Sequence, residues 1–177
     1  VIMTSVPTTI PYTEGFASTT LPANWINGTS WSIGSTTALD PPTSTNYIYK
    51  NLYSSVTPAN CTTLIAGPIP SNNSLSFTYK LANFSSPYAT PVVGSGDFIV
   101  AISTDNGSTF TNVQTVTNNG LTGWQLFTIP LTSYVGQNVR IKITGNWISG
   151  DFYLAFDDFK IDTIPSCVAP TSLSATA

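Results

Sequence analysis

Hydrophobic and polar residues alternate along several short segments of the chain. Apolar side chains occupy every second position over residues 75–81 and again over residues 139–143, with polar or charged residues between them. A period of two is that of a β-strand with one face on a core and the other in water. Both segments are therefore predicted to be half-buried strands.

A continuous apolar run and the turns that follow it predict three further strands. Residues 97–103 are apolar almost throughout, as expected for a strand that is buried on both faces in the middle of a sheet. The Asn106-Gly107 dipeptide follows, and this pair accommodates the positive φ values of a tight hairpin, so residues 110–116 are predicted to fold back on the first strand. A second turn at residues 118–120 leads to an extended apolar segment over 124–131.

The last clear strand pattern, over residues 152–161, changes face part of the way along. Its apolar side chains lie at even positions up to Phe156 and at odd positions from Phe159 onward. A β-bulge at Asp157 and Asp158 would account for the switch and would turn one aspartate inward or toward the sheet edge. A buried carboxylate needs a partner, which is either a basic side chain with backbone N–H groups or a cation such as calcium.

Many short strands separated by Gly, Pro and Asn predict an all-β fold, an antiparallel β-sandwich with jelly-roll topology. No stretch of ten or more residues has helical periodicity. After Ile161 the alternation stops, and Pro165 and Pro170 mark a linker. The predicted organisation is one jelly-roll domain over residues 1–163, followed by a linker and the start of another module over 164–177.

Composition favours a secreted or cell-surface protein. Charged residues are 7% of the 177 residues and hydrophobic residues 41%, a profile typical of β-rich extracellular domains. Five basic and eight acidic residues give a net charge of −3 and no basic patch, so nucleic acid is not an expected partner. No apolar run reaches the roughly 20 residues of a membrane span. A monomeric module within a larger chain is predicted.

The residue types present argue against catalysis. The chain has no histidine, so a Ser-His-Asp triad is impossible and general acid–base chemistry lacks its usual group. Asp157 and Asp158 are adjacent, and successive strand residues point to opposite faces, so the two cannot flank one glycosidic bond. A pairing of Asp151 with Asp158 is the alternative left open for a hydrolase. We predict that the chain is not an enzyme.

Two cysteines, Cys61 and Cys167, allow one disulfide or two free thiols. Their spacing fits no metal motif. An even count in an extracellular-type chain favours a bridge, which would tether the linker to the sandwich.

Aromatic residues have a structural and a functional interpretation. Trp25, Trp31 and Trp124 are predicted to be core residues. Trp147 lies in the turn-rich segment 145–151, where its indole either stacks on a sugar ring or a partner protein or caps the end of the sandwich.

Tyr47 and Tyr49 share one face of a predicted strand, with Tyr53 nearby. They are candidates for an aromatic ligand-binding platform, and half-buried strand packing is the alternative.

Several segments, in order, resemble the cleaved-adhesin and choice-of-anchor J group of jelly-roll domains, which are relatives of the MAM domain in exported proteins of Bacteroidetes-type bacteria. The resemblance covers roughly residues 12–162 and rests on these segments: 12–16 (YTEGF), 21–25 (LPANW), 64–69 (LIAGPI), 103–110 (STDNGSTF), 129–141 and 156–161 (FDDFKI). Residues 169–177 resemble the opening strand of a fibronectin type III domain.

The resemblance implies a calcium-stabilised jelly roll that binds host or matrix proteins or glycans. Glu14 matches an acidic position of the group, and with Asp157 or Asp158 it is a predicted calcium ligand, with Asp40 as a further candidate. Glu14 is the only glutamate of the chain, an unusually low acidic content for the group. The expected function is a non-catalytic adhesion or protein-binding module. The alternatives are a carbohydrate-binding module appended to a secreted hydrolase, and a structural spacer.

Overall fold

The computed structural model describes residues 6–23, 25–40, 46–54 and 58–164. Eleven antiparallel strands form two sheets that pack face to face, so the predicted all-β sandwich is confirmed. The strands are β1 (Tyr12–Glu14), β2 (Ile26–Asn27), β3 (Ser32–Gly34), β4 (Tyr47–Leu52), β5 (Ala59–Ala66), β6 (Asn73–Asn83), β7 (Gly96–Ser103), β8 (Thr111–Thr117), β9 (Gln125–Pro130), β10 (Val139–Trp147) and β11 (Phe152–Thr163). The described residues contain no α-helix, and Thr132–Tyr134 forms a single 3-10 turn.

Five strands of the six-stranded sheet have the order β3-β4-β11-β6-β9, and the sixth, β1, also pairs with β11. Strand β11, the last in the sequence, is central, and two other strands pair with different parts of one of its edges. The first half of β11 pairs with β4, up to Phe156 opposite Ile48, and the second half pairs with β1, with Ile161 opposite Tyr12. The first and last strands of the domain therefore lie side by side.

The five-stranded sheet has the order β2-β5-β10-β7-β8. Strand β10 is its centre, and β7 and β8 form the predicted antiparallel pair. The connection between them is longer than the tight hairpin that we predicted, because it spans residues 104–110. Asn106 and Gly107 do adopt positive φ values, 63° and 89°, inside this longer loop.

Aromatic rings fill the space between the sheets. Phe77 stacks on Phe127 with centroids 4.6 Å apart and lies parallel to Phe159 at 6.1 Å. Trp25 and Trp31 are 6% and 4% exposed and belong to this core, as predicted. Apolar burial of this kind is the main favourable contribution to the fold.

The predicted β-bulge in β11 is confirmed. The register of β11 against β6 shifts between Asp157 and Lys160, and Asp158 has a φ of 51°. The N–H of Asp158 donates to the Asp157 carboxylate at 2.7 Å, and Asp157 is completely buried. The bulge explains why buried side chains fall at even positions before it and at odd positions after it.

No helix in the described part of the chain is long and apolar enough to cross a membrane. Residues 165–177, which hold the predicted linker, Cys167 and the fibronectin-like segment, lie outside the described residues.

Candidate ligand-binding face and metal site

Aromatic side chains line the outer face of the six-stranded sheet, which points away from the sandwich core. We call Tyr49, Phe84, Tyr88, Trp124 and Tyr153 the aromatic face. Tyr49 and Tyr153 project from neighbouring strands β4 and β11, and their ring centroids are 5.8 Å apart. The ring of Phe84, which is 45% exposed, lies 5.4 Å from that of Tyr153. The rings of Tyr49, Tyr153 and Phe84 therefore form a continuous row that reaches solvent.

Small residues beneath these rings make room for them. Ala155 of β11 is opposite Tyr49 on one side and Lys80 on the other, and Ala82 is opposite Tyr153. Both alanines are fully buried under the aromatic side chains. Strand residues of the same face stand side by side, so alanine at these positions leaves the space that the larger rings occupy.

Tyr47 supports the aromatic face and does not offer a contact surface, contrary to the prediction that it binds ligand directly. The side chain has no exposed area because the loop at residues 36–40 covers it. Its hydroxyl accepts a hydrogen bond from the Thr36 N–H at 2.6 Å and lies 2.8 Å from the Leu39 carbonyl oxygen. Burial raises the pKa of Tyr47. Tyr49, by comparison, is half-buried and remains at the surface.

Trp124 also belongs to the outer face, so its predicted place in the sandwich core is wrong. Its ring lies 5.6 Å from that of Tyr47, and its indole N–H donates to the backbone carbonyl of Asp40. This bond fixes the loop over the sheet. Asp40 itself is exposed at this position.

Polar groups border the aromatic face. The Asn51 amide donates to the Asp151 carboxylate at 2.8 Å, next to Tyr153 on the neighbouring strand. The Thr37 hydroxyl donates to the Tyr88 hydroxyl at 3.3 Å. A row of rings with amide, carboxylate and hydroxyl groups at its edge can stack on an apolar surface and hydrogen-bond to hydroxyls beside it.

Trp147 caps one end of the sandwich. It is the last residue of β10, opposite Gly96, so the predicted loop begins only after it. Its indole N–H donates to the Gly150 carbonyl at 2.7 Å, and the half-buried ring packs against the main core. This placement matches the capping interpretation more closely than the ligand-binding one.

The predicted metal ligands are brought together in part. Glu14 lies opposite Phe159, so the end of β1 adjoins the bulge that holds Asp157 and Asp158. One Glu14 oxygen accepts the Phe16 N–H at 2.7 Å. Asp40 lies at the aromatic face beside Trp124. Across residues 6–23, 25–40, 46–54 and 58–164, no group of three or more Asp, Glu, His or Cys side chains is assembled.

Asn46 is a polar neighbour of this region that the sequence patterns did not single out. It immediately precedes β4, and its amide donates to the carbonyl of Ala17, three residues after Glu14, at 3.1 Å. Only the tertiary structure shows this proximity, because Asn46 follows a polar, proline-containing stretch of sequence without periodicity. Asparagine and backbone carbonyl oxygens are ordinary calcium ligands.

Cys61 carries a free thiol in the structure and faces the core from β5. Its burial raises the pKa of the thiol to about 12. Cys167 is outside the described residues, so the bridge between the two stays a prediction.

No protein-family model matches this chain, and no curated protein matches it. Solved structures do match in fold. The K1 cleaved adhesin domain of Lys-gingipain from Porphyromonas gingivalis W83 has a TM-score of 0.60 at 16% identity, covering 88% of this chain and 99% of that one. The K2 cleaved adhesin domain of Lys-gingipain has a TM-score of 0.58 at 20% identity, covering 87% and 98%.

A carbohydrate-binding module has a comparable likeness. The xylan-binding domain CBM22-1 of Paenibacillus barcinonensis Xyn10C has a TM-score of 0.55 at 11% identity, covering 92% of this chain and all of that one. At these identities the comparisons show the fold: this chain has the β-sandwich of cleaved adhesin domains and of jelly-roll carbohydrate-binding modules.

Proposed function

We propose that this domain is a non-catalytic glycan-binding module and that its aromatic face is the binding surface. The observation that carries the proposal is the row formed by Tyr49, Tyr153 and Phe84 on the outer face of the six-stranded sheet. The apolar faces of sugar rings stack on such side chains, and the hydroxyl, amide and carboxylate groups at the border match sugar hydroxyls. The fold likeness to a xylan-binding domain supports the same interpretation.

The experiment is a binding titration by calorimetry with neutral xylo- and galacto-oligosaccharides. Tyr153→Ala and Phe84→Ala each remove one ring of the row, and we expect each to weaken binding about 10-fold or more, which is about 1.4 kcal/mol. Phe110→Ala is the matched control, because Phe110 is an aromatic residue beside the other sheet, in contact with Lys142. Equal affinity of all three variants would contradict the use of the aromatic face.

Protein adhesion is the second candidate function, favoured by the fold likeness to two cleaved adhesin domains. Under this alternative the same exposed rings would anchor a host or matrix protein, since aromatic side chains are common binding hot spots. Saturable binding to immobilised matrix proteins that is lost in Tyr153→Ala, without binding to any oligosaccharide, would replace the glycan proposal with this one. For either ligand we propose a secreted or cell-surface location, which the extracellular-type composition supports.

We also propose that a calcium ion stabilises the junction of β1 and β11. The residues are of the type that binds calcium, which prefers carboxylate oxygens. The Asp157 carboxylate is fully buried at a bulge, and Glu14 is on the adjoining strand. Glu14 and Asp157 would hold the ion, with Asp158 as an alternative ligand. When bound, calcium would neutralise the carboxylates that hold it and stabilise the native state.

Thermal melts in calcium and in chelator test this site. We expect a higher midpoint in calcium for the wild type and a much smaller difference for Glu14→Gln. Asp162→Asn is the control, because Asp162 is on the same strand but its carboxylate accepts the Thr163 N–H at 2.6 Å. Identical wild-type midpoints in both conditions would reject the site.

A further inference from the structure

Arg140, the single arginine of the chain, lies on the outer face of the five-stranded sheet. It is near the start of the central strand β10, opposite Ile65 of β5 and Ser103 of β7. The two sheets turn their outer faces in opposite directions, so Arg140 and the aromatic face are on opposite sides of the sandwich. A ligand that contacts Arg140 therefore meets a different set of side chains from a ligand that contacts the aromatic face.

The loop between β7 and β8 folds over the Arg140 side chain. Asn106 and Gly107 take positive φ values, which bring the Gly107 backbone close to it. A Cβ at Gly107 would lie only 3.2 Å from Arg140 Cδ, so glycine allows this close approach. The stem of Arg140 is thus enclosed between the loop and the sheet.

The guanidinium group lacks protein partners among the described residues. Its Nε is buried and makes no hydrogen bond, and burial lowers the pKa of the group. The nearby Asp105 carboxylate accepts hydrogen bonds from the Ser103 hydroxyl at 2.7 Å and the Thr109 hydroxyl at 2.6 Å instead. A partly desolvated cation that forms no ion pair among the described residues is unfavourable, and an anion bound in contact with it would reduce that cost.

The space next to Arg140 is a pocket of about 350 Å³, which is at the lower end of the range for small-ligand sites. Ile65, Val139 and Pro7 form its apolar wall, and Thr104, Asn106 and Asn138 add neutral polar groups. The Asp105 carboxylate, already hydrogen-bonded to Ser103 and Thr109, also lines the pocket. The pocket therefore combines one cation, one carboxylate that is engaged by its own loop, and several neutral donors and acceptors suited to hydroxyl groups.

We propose that this pocket binds the carboxylate of a uronic acid residue in an acidic glycan, with the Arg140 guanidinium as the charged contact. The inference rests on the proposed glycan-binding function and adds a second, charge-selective site on the other sheet. The planar guanidinium of arginine offers paired N–H donors that match a carboxylate. The neutral polar groups and the Asp105 carboxylate of the wall match the hydroxyls of the sugar ring. An acidic peptide would use the charge but would leave the neutral polar groups without matching hydroxyls.

The test compares oligosaccharides of galacturonate and glucuronate with the same molecules after reduction of their carboxyl groups to alcohols. We expect the wild type to bind at least one acidic probe about 10-fold more tightly than its reduced form. Arg140→Gln should abolish this preference, and Arg140→Lys should keep a fraction of it. Lys142→Gln is the matched control, because Lys142 is two residues along the same face with its Nζ 4.4 Å from the Phe110 ring centroid.

Asn138→Asp is a second variant that leaves Arg140 in place. Asn138 is exposed at the pocket wall, so this isosteric change should add a repelling charge and weaken acidic probes without loss of thermal stability. Equal binding of acidic and reduced probes by the wild type would overturn the proposal, as would poly-glutamate binding as tight as that of the uronates. We expect Tyr153→Ala to lose neutral-glycan binding and to keep the preference for acidic probes. That result would show that the aromatic face and the Arg140 pocket bind independently.

Discussion

The carboxylate of Asp105 organises the loop that covers Arg140. Hydrogen bonds from the hydroxyl and N–H of Thr109 and from the hydroxyl of Ser103 lower the pKa of Asp105 to about 2. Ser103 in turn accepts the Gly107 N–H at 2.7 Å. One acidic side chain therefore links both ends of the loop, and its ionised form is the one that the loop requires.

Asp105→Asn should lower the melting temperature at neutral pH. Because the folded pKa is depressed from 3.8 to about 2, the stabilising effect is fully present above 3.8 and is lost as pH falls through about 2. The difference in melting temperature between wild type and variant should therefore shrink across that interval. Thermal melts at a series of acidic pH values measure it, and a constant difference would contradict this role for the carboxylate.

Cys61 should be chemically inert in the native protein. The thiolate is the reactive species, and burial that raises the pKa to about 12 keeps the group protonated at pH 8. In a Cys167→Ser variant we expect a thiol reagent to label Cys61 only after denaturant is added. Rapid labelling of the folded variant would show that β5 opens or that the thiol is accessible.

At the scale of the element, Asn118 holds the loop that carries part of the aromatic face. It directly follows β8 and is 2% exposed. Its amide donates to the carbonyls of Pro91 and Val92 at 3.0 and 2.8 Å, and its side-chain oxygen accepts the Gly120 N–H at 3.0 Å. This single side chain connects the end of one sheet to the 84–95 loop that presents Phe84 and Tyr88.

Asn118→Ala should destabilise the domain by about 2 to 3 kcal/mol, since it leaves several buried polar groups without partners. The measurement is chemical denaturation, with Asn119→Ala as the control. Within the described part of the chain the exposed Asn119 side chain makes one hydrogen bond, which it accepts from the N–H of Leu121, two residues on. Similar values for the two variants would mean that the loop is held by other contacts.

The sequence predicts those strands that have a long apolar pattern or follow a clear turn. Strands β6 to β11 lie within a few residues of the predicted segments, except that β10 continues to Trp147. The bulge in β11 follows from the switch of apolar parity. Strands β1, β2 and β3 have two or three residues each, too few for any periodicity. Their places are set by pairing with longer strands, which is tertiary information.

The sequence predicts only part of the candidate site, because a loop from a distant part of the chain can bury a side chain. Tyr47 and Tyr49 have the same parity and look equivalent in the sequence, yet the loop at 36–40 buries Tyr47 completely. Trp124 has the character of a core residue but faces outward against the same loop. Whether a loop folds over a sheet face depends on contacts between distant segments, and a local pattern does not contain them.

At the scale of the whole molecule, the sandwich presents two outer faces of different chemistry. The six-stranded sheet shows a row of aromatic rings beside Lys80, whereas the five-stranded sheet shows Arg140 and Lys142. Each face is built on strands whose other side belongs to one shared core. Ligand-contact variants on one face should therefore leave binding at the other unchanged as long as the core is intact.

The side-by-side pairing of β1 and β11 also decides how the domain responds to mechanical force. The chain enters β1 at Tyr12, opposite Ile161, so residues 11 and 164 lie at the same end of the β1–β11 pair. Tension applied at these two residues would therefore break the paired residues one after another. Such peeling needs less force than sliding two strands along each other. In single-molecule pulling we expect β1 to detach first, at low force, while the remaining sandwich stays folded. A calcium ion between Glu14 and Asp157 would link β1 to β11 and raise the force at which β1 detaches. A chelator would lower that force again.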